Sequence, residues 1–411
     1  MRLSGHRYTP DLLCRLITLS GQLPSAACVA TAVNTLAAAQ ISGRHVQRLT
    51  LEVGTDLAHL RDAQAVQQRR RQLEPVAEAP AVAVVEVDGG RLGTREPGVG
   101  PGVQQPQAKE DKIAFLLSMR SEVHTEDSQP EPPALFRDHP RVARLVRQIK
   151  AQSAPPAHEV PAAESAADPA AELLAATSRR GQPKRLVRTC VASMNSSDAF
   201  GPLLAAEAQT RAFFDAPRQA FVADGQQYNW SIQRAYFPHF EPIADFLHVL
   251  CYLYPVAWAV QPEAAAHWQQ YVTWMTACWS GRVSEVLAEL AVWQERLGRP
   301  PPDAPALDPR QLVQEALTYL TNNAARMDYP RYRRQGLPVT SSWVESLVGE
   351  FNARVKGWDK WWNRGEGAEA ILQVRAAVLS EDDRLARYFA ERPGHPFRRH
   401  RHTPLSKRSG N

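Results

Sequence analysis

PRQAFVADGQQYNW, residues 217–230, contains the short apolar run Gln219–Ala223 with Asp224-Gly225 directly after it. A run of that length bounded by a turn signal reads as a buried strand of an α/β sheet, carrying a carboxylate at its C-terminal end. Twenty-one residues on (245 − 224), the stretch PIADFLHVLCYLYPVAWAV, residues 242–260, places Asp245 and His248 at the opening of an amphipathic helix. Two other acids sit in comparable settings. Asp88 follows the apolar run Ala81–Val87 and precedes Gly89-Gly90, and Glu345 lies in the helix predicted for SSWVESLVGEFNARV. Taken singly, an Asp before Gly is an ordinary turn residue, and a Glu on a helix is ordinarily solvated. Three acids on three different elements point instead to a metal-held polar site.

A chain of 411 residues is long enough for two or three cores. Its net charge of +5 permits a polyanionic partner without requiring one. The five cysteines (Cys14, Cys28, Cys190, Cys251, Cys278) are scattered, with no C-x-x-C pair, which argues against a zinc site or a disulfide framework. The longest apolar run, Phe246–Val260, is too short to span a bilayer, and the N-terminus has no signal pattern. The expectation is a cytoplasmic protein with no membrane partner.

Residues 10–75 read as helical, with Leu12, Leu13, Leu16 and Ile17 at helical spacing and Ser42 as a cap for Gly43–Leu51. Gly54 and Thr55 are expected to break that helix. A tight turn before ISGRHVQRLTLE fits a helix-turn-helix offering Arg44, Gln47 and Arg48 to a DNA groove. It fits equally a small bundle with a basic exposed face. AVAVVEVDGGRLGTRE (81–96) reads as a β-hairpin with a D-G-G turn, and KIAFLLSM (112–119) and LVRTCVAS (186–193) as further strands. Residues 120–185, rich in Pro, Ala and charge, read as a flexible insertion apart from a helix near Ala134–Gln148. Beyond Val260 the pattern is helical. The Trp and Tyr residues of Pro262–Ser280 read as packing core, while YPRYRR (329–334) mixes aromatics with Arg331, Arg333 and Arg334 in a way often seen at nucleic-acid surfaces. The tail from Arg392 carries six Lys/Arg and no acid.

Carboxylates at two strand ends, with a third brought by a helix, suit two-metal phosphoryl transfer, in which two Mg²⁺ about 3.5–4 Å apart stabilise the attacking and leaving oxygens. The motifs VDGGR at Asp88, ADGQQYNW at Asp224, DFLH at Asp245–His248, and PVTSSWVES at Glu345 followed by EGAEAILQVRA resemble those of the DDE transposases of bacterial insertion sequences. Within these the likeness is to the Mutator-like group, which carries a D-x-x-H after the second acid and a helical insertion before the last. The separations of 136 (224 − 88) and 121 (345 − 224) residues leave room for both insertions.

The resemblance covers about residues 81–391 and implies an α/β ribonuclease-H-like core, a mixed sheet split by an α-helical insertion. It divides the chain into an all-helical DNA-binding region at 1–75, the first part of the core at 81–260, the insertion at 261–335, the rest of the core at 336–391, and a basic tail at 392–411. By the same resemblance Asp88, Asp224 and Glu345 hold Mg²⁺ or Mn²⁺, as two ions. His248 either orients a substrate phosphate and donates a proton or simply bonds to Asp245 for structure. The implied partners are double-stranded DNA, as terminal repeats and target, and further copies of the chain on that DNA. The alternatives are a domesticated or inactive descendant that only binds DNA, and a hydrolytic nuclease of the same fold.

Overall fold

The computed structural model describes residues 8–37, 40–95, 107–150, 183–261, 263–340, 351–352, 354–355 and 362–392. The chain opens with helices α1 (Pro10–Gln22), α2 (Ala26–Ala37) and α3 (Gly43–Arg69). Thr9 and Ser42 cap α1 and α3, their hydroxyl oxygens accepting the backbone N–H of Leu12 and His45. The expected break at Gly54 does not occur, and α3 runs unbroken for 27 residues. Gly54 serves close packing instead. A Cβ there would lie 2.1 Å from the carbonyl oxygen of Ala370, so the absent side chain lets α3 touch the backbone of a C-terminal helix. Arg375 and Arg354 also donate to the carbonyls of Gly21 and Ser20, and Arg61 pairs with Glu369. The N-terminal helices are thus built into the body of the protein rather than held apart from it.

Five strands, β1 (Val82–Arg95), β2 (Gln107–Arg120), β3 (Lys184–Ser193), β4 (Gln219–Ala223) and β5 (Glu241–Ala244), form a mixed sheet in the order β3-β2-β1-β4-β5. Only β2 runs against the others, being antiparallel to β1 and β3 while β4 and β5 follow β1 in parallel. A central strand must bury both faces, and Val82, Val84, Val85 and Val87 are all buried. The reading of Asp88-Gly89-Gly90 as a hairpin turn is corrected. β1 continues through these residues to Arg95, and its hairpin partner is β2, with Asp88 opposite Ile113. The glycine has a packing reason, since a Cβ on Gly89 would lie 3.0 Å from the Tyr228 hydroxyl.

Helices fill the connections. They are α4 (His139–Ile149), α5 (Ser197–Thr210), α6 (Gln227–Tyr236), α7 (Phe246–Val260), α8 (Ala264–Trp279), α9 (Val283–Leu297), α10 (Pro309–Asn323) and α11 (Tyr329–Arg334). A two-residue strand, β6 (Trp362–Asn363), pairs with the far end of β1, and α12 (Arg364–Leu379) and α13 (Arg384–Glu391) follow. An open sheet edge is a liability, and α12 with its flanks covers that of β3. Cys190 N–H donates to the Ser380 hydroxyl, Met194 N–H to Glu369, and the Ala192 carbonyl accepts from Gln373 and Arg61.

The aromatics of α8 are core, as expected, with Tyr271, Trp274 and Trp279 buried and Trp279 edge-on to Phe246 of α7 at 4.8 Å. Residues 121–150 do not behave as a flexible insertion. Ser121 accepts from Arg218, His124 N–H donates to Arg334, Asp127 pairs with Arg333, and the Gln129 carbonyl accepts from Trp279. The remainder of that insertion, 151–182, and the tail from 393 lie outside the described residues. No helix among the described residues is long and apolar enough to cross a membrane.

Candidate active site

The parallel register of β1 and β4 ends at Val87 opposite Ala223, so Asp88 is the next residue of β1 and Asp224 the residue directly after β4. Continuing that register sets them side by side at one level. Both line a cavity of about 450 Å³, together with Gln148 and Lys150 from the end of α4, His248 and Tyr252 from α7, and Asn352.

The turn after β4 is built around Asp224. Its Oδ1 accepts the Gln226 N–H at 2.9 Å and the Asn229 Nδ2 at 2.8 Å, an Asx-type closure that fixes the carboxylate. Its Oδ2 takes no hydrogen bond among the described residues. Gly225 adopts φ +96°, a conformation that favours glycine. Asp88 accepts from the Gly89 N–H at 2.7 Å. The Tyr228 hydroxyl is buried against Gly89 and beside the Asn229 side chain. Burial pushes its phenol well above the ordinary range, and the charges of Asp224, Asp88 and Glu110 push it further.

His248 makes the structural bond to Asp245 that one of its two readings expects. Its Nδ1 lies 2.8 Å from Asp245 Oδ2, and the ring lines the cavity. Asp245 is fully buried and caps α7, its Oδ1 accepting the Leu247 N–H at 3.1 Å while its own N–H donates to the Ala223 carbonyl at the end of β4. The D-x-x-H motif therefore ties the start of α7 to the strand that carries Asp224.

The helices of 261–335 reach back to this cavity through α10. Tyr319 stacks on Tyr252 at 3.9 Å, and Glu315 pairs with Lys150, whose Nζ sits 3.8 Å over the Tyr252 ring. Burial, with the carboxylates of Glu315 and Asp224 adding to it, pushes the Tyr252 phenol up to about 12. Asn323 accepts from Trp230 Nε1 at 2.9 Å and donates to the Tyr319 carbonyl, closing α10 onto the turn of Asp224.

Glu345 lies outside the described residues. Among the described residues no three His, Cys, Asp or Glu side chains converge as a metal cluster. Arg44, Gln47 and Arg48 are exposed on the first turns of α3, with Arg48 bonded to the His45 ring. YPRYRR does not form a nucleic-acid face as a unit. Arg333 is 5 % exposed, forked onto Asp127 and 4.2 Å over the Trp279 ring, so its reading as a DNA contact is corrected to that of a core ion pair. Arg331 is held by Glu241 and Asp328, and Arg334 keeps a half-buried place at the end of α11. Sequence reading misses Lys150, Tyr252 and Asn352 at the cavity. Only their types, a cation, an aromatic and an amide, could mark them, and such types occur everywhere on a surface. No protein-family model matches the chain, and no curated protein is significantly similar to it.

Proposed function

We propose that this chain is a DDE-type transposase that cleaves DNA at the ends of an insertion sequence and joins the freed 3′ ends to target DNA. The observation that carries the reading is the alignment of Asp88 and Asp224 on neighbouring parallel strands, opening into one cavity. A sheet ordered β3-β2-β1-β4-β5 with β2 alone reversed is the arrangement a ribonuclease-H-like core calls for. The four helices α8–α11 stand where that reading requires a helical insertion.

The donor set suits a hard divalent cation. Among the described residues Asp224 Oδ2 takes no hydrogen bond, and Asn352 Oδ1, at the same cavity, is buried without a partner. Oxygens of this kind are what Mg²⁺ or Mn²⁺ prefers. Glu345 is the third acid of the reading. Bound at these carboxylates, two ions would supply charge stabilisation for the attacking and leaving oxygens of an in-line displacement.

The chain's own residues hold the geometry. The Asx closure fixes Asp224, and Asp245 fixes the His248 ring beside the cavity, where it can carry a proton to or from a reacting oxygen. Tyr252, stacked and raised, closes one wall. Arg44, Gln47 and Arg48 offer an exposed stripe for terminal-repeat DNA, and strand transfer from two element ends asks for more than one copy of the chain.

The test is a supercoiled plasmid bearing the repeats that flank the gene, incubated with protein and Mg²⁺. Joined products mark a transposase, nicked or linear products alone a nuclease, and a mobility shift without cleavage a DNA-binding descendant. Only the first outcome sustains the proposal.

A further inference from the structure

An acidic cleft repels the DNA backbone it must receive, so cations are needed near it. Several arginines of the helical segment are already neutralised. Arg282 pairs with Glu285, Arg310 with Asp308, Arg331 with Glu241 and Arg333 with Asp127. Arg234 of α6 and Arg326, just after α10, carry no such pairing: neither has a carboxylate partner among the described residues. Among the described residues Arg326 donates to the Asn322 carbonyl and Arg234 to the Ser231 hydroxyl.

We propose that Arg326 and Arg234 form a binding site for a phosphodiester of the DNA backbone beside the cleavage cavity, an inference that rests on the DNA-cleaving reading above. Arg326 is half-buried and lies 4.5 Å over the ring of Trp230, which fixes its position without consuming its charge. Burial lowers its pKa, and the neighbouring positive charge of Arg234 lowers it further. Arg234 stands one turn beyond Trp230 on α6 (234 − 230 = 4), so both cations lie on the Trp230 side of that helix. A partly desolvated guanidinium near a like charge is relieved there by an anion. Two guanidinium forks, with the exposed Ser231 hydroxyl beside them, match the two non-bridging oxygens of a phosphodiester.

The place of this pair in the fold links it to the carboxylates. Trp230, under Arg326, bonds to Asn323, and a Cβ on Gly225 would come within 2.8 Å of that Asn323 amide. Asn229, the residue before Trp230, bonds to Asp224. One indole therefore separates the cation pair from the turn that presents the catalytic carboxylate. A strand gripped at the pair is held in fixed register with Asp224.

The probe is fluorescence anisotropy of a labelled duplex with the full chain, in Ca²⁺ rather than Mg²⁺ so that DNA is bound but not cut. It is read between about 50 and 200 mM salt on a flanking-repeat duplex and on a random duplex, for the unaltered protein, Arg234→Gln, Arg326→Gln and the pair. Each lost phosphate contact lowers the slope of log affinity against log salt by about 0.9, equally on both duplexes. Arg234 is exposed, so Arg234→Gln alone decides the matter should Arg326→Gln unfold. An unchanged slope in a protein that binds DNA overturns the inference and leaves the transposase reading standing. A loss confined to the repeat duplex overturns it too, by pointing to base contacts. An unaltered protein that binds neither duplex removes the reading and the inference together.

Discussion

Gly225→Ala strikes the joint between the Asp224 turn and the helical segment, and its cost can be built from the structure. The residue sits at φ +96°, and forcing an L side chain into such a conformation costs about 1–3 kcal/mol. The new Cβ would stand 2.5 Å from Tyr319 Cε2 and 2.8 Å from Asn323 Nδ2, so one of these must move. If Asn323 moves, the 2.9 Å bond from Trp230 Nε1 is lost and a buried indole N–H is stranded. Leaving such a group unpaired costs about another 1–3 kcal/mol. Partial relaxation puts the expected loss at about 3 kcal/mol. In urea unfolding with an m-value of about 3 kcal/mol/M, the midpoint should fall by about 1 M. Asn323→Ala should cost less on top of Gly225→Ala than alone, because the two share one contact. A Gly225→Ala midpoint within about 0.2 M of the parent would refute the packing of α10 on this turn.

Other outcomes are equally checkable. Arg333→Ala strands Asp127 and should cost about 3–5 kcal/mol in the same unfolding experiment, whereas Arg44→Ala on the exposed face of α3 should stay within about 0.5 kcal/mol. Burial alone would raise the pKa of Asp382, but the bonds and charge of Arg384 outweigh it and bring the group from 3.8 to about 2. A depressed folded pKa gives stability that is complete above pH about 4 and lost as pH falls toward 2, roughly 2 kcal/mol in all. Asp382→Asn should flatten the stability curve across that window, and an unchanged acid limb would count against the buried pair. Asp88→Asn should abolish Mg²⁺-dependent cleavage while leaving duplex affinity within about twofold, since phosphate contacts set binding. A parallel loss of affinity would mean that Asp88 shapes the fold rather than the chemistry.

β4 and α7 are readable because each is a short apolar run with its own stop or start signal, Asp224-Gly225 after one and Asp245 before the other. Asp88 reads onto the right strand but at the wrong point of it. Two glycines in a row look like a turn unless the partner strand is known, and here β2 supplies a ladder straight past them. Gly54 misleads for the same reason, its role being contact with Ala370 across the fold rather than a break. YPRYRR looks like a surface because arginine beside tyrosine is ambiguous. Asp127, more than two hundred residues earlier in the chain (333 − 127 = 206), decides that Arg333 is inside. The docking of α10 on the Asp224 turn leaves no local mark at all. Tyr319 and Gly225 are 94 residues apart (319 − 225), and only the closed fold joins them.

The central claim is that Asp224 holds a metal ion that cuts DNA. The most direct measurement is cleavage of an end-labelled flanking-repeat duplex by the parent protein and by Asp224→Asn, each with Mg²⁺ and with EDTA. Asp224→Asn keeps an Oδ1 to accept from Gln226 and Asn229, so the turn should survive while the second oxygen is replaced by an uncharged amide nitrogen that cannot hold a metal. The account predicts cleavage by the parent in Mg²⁺ alone, and none by Asp224→Asn in either condition although it still shifts the duplex. Cleavage by Asp224→Asn at the parent's rate, or cleavage by the parent in EDTA, would contradict it.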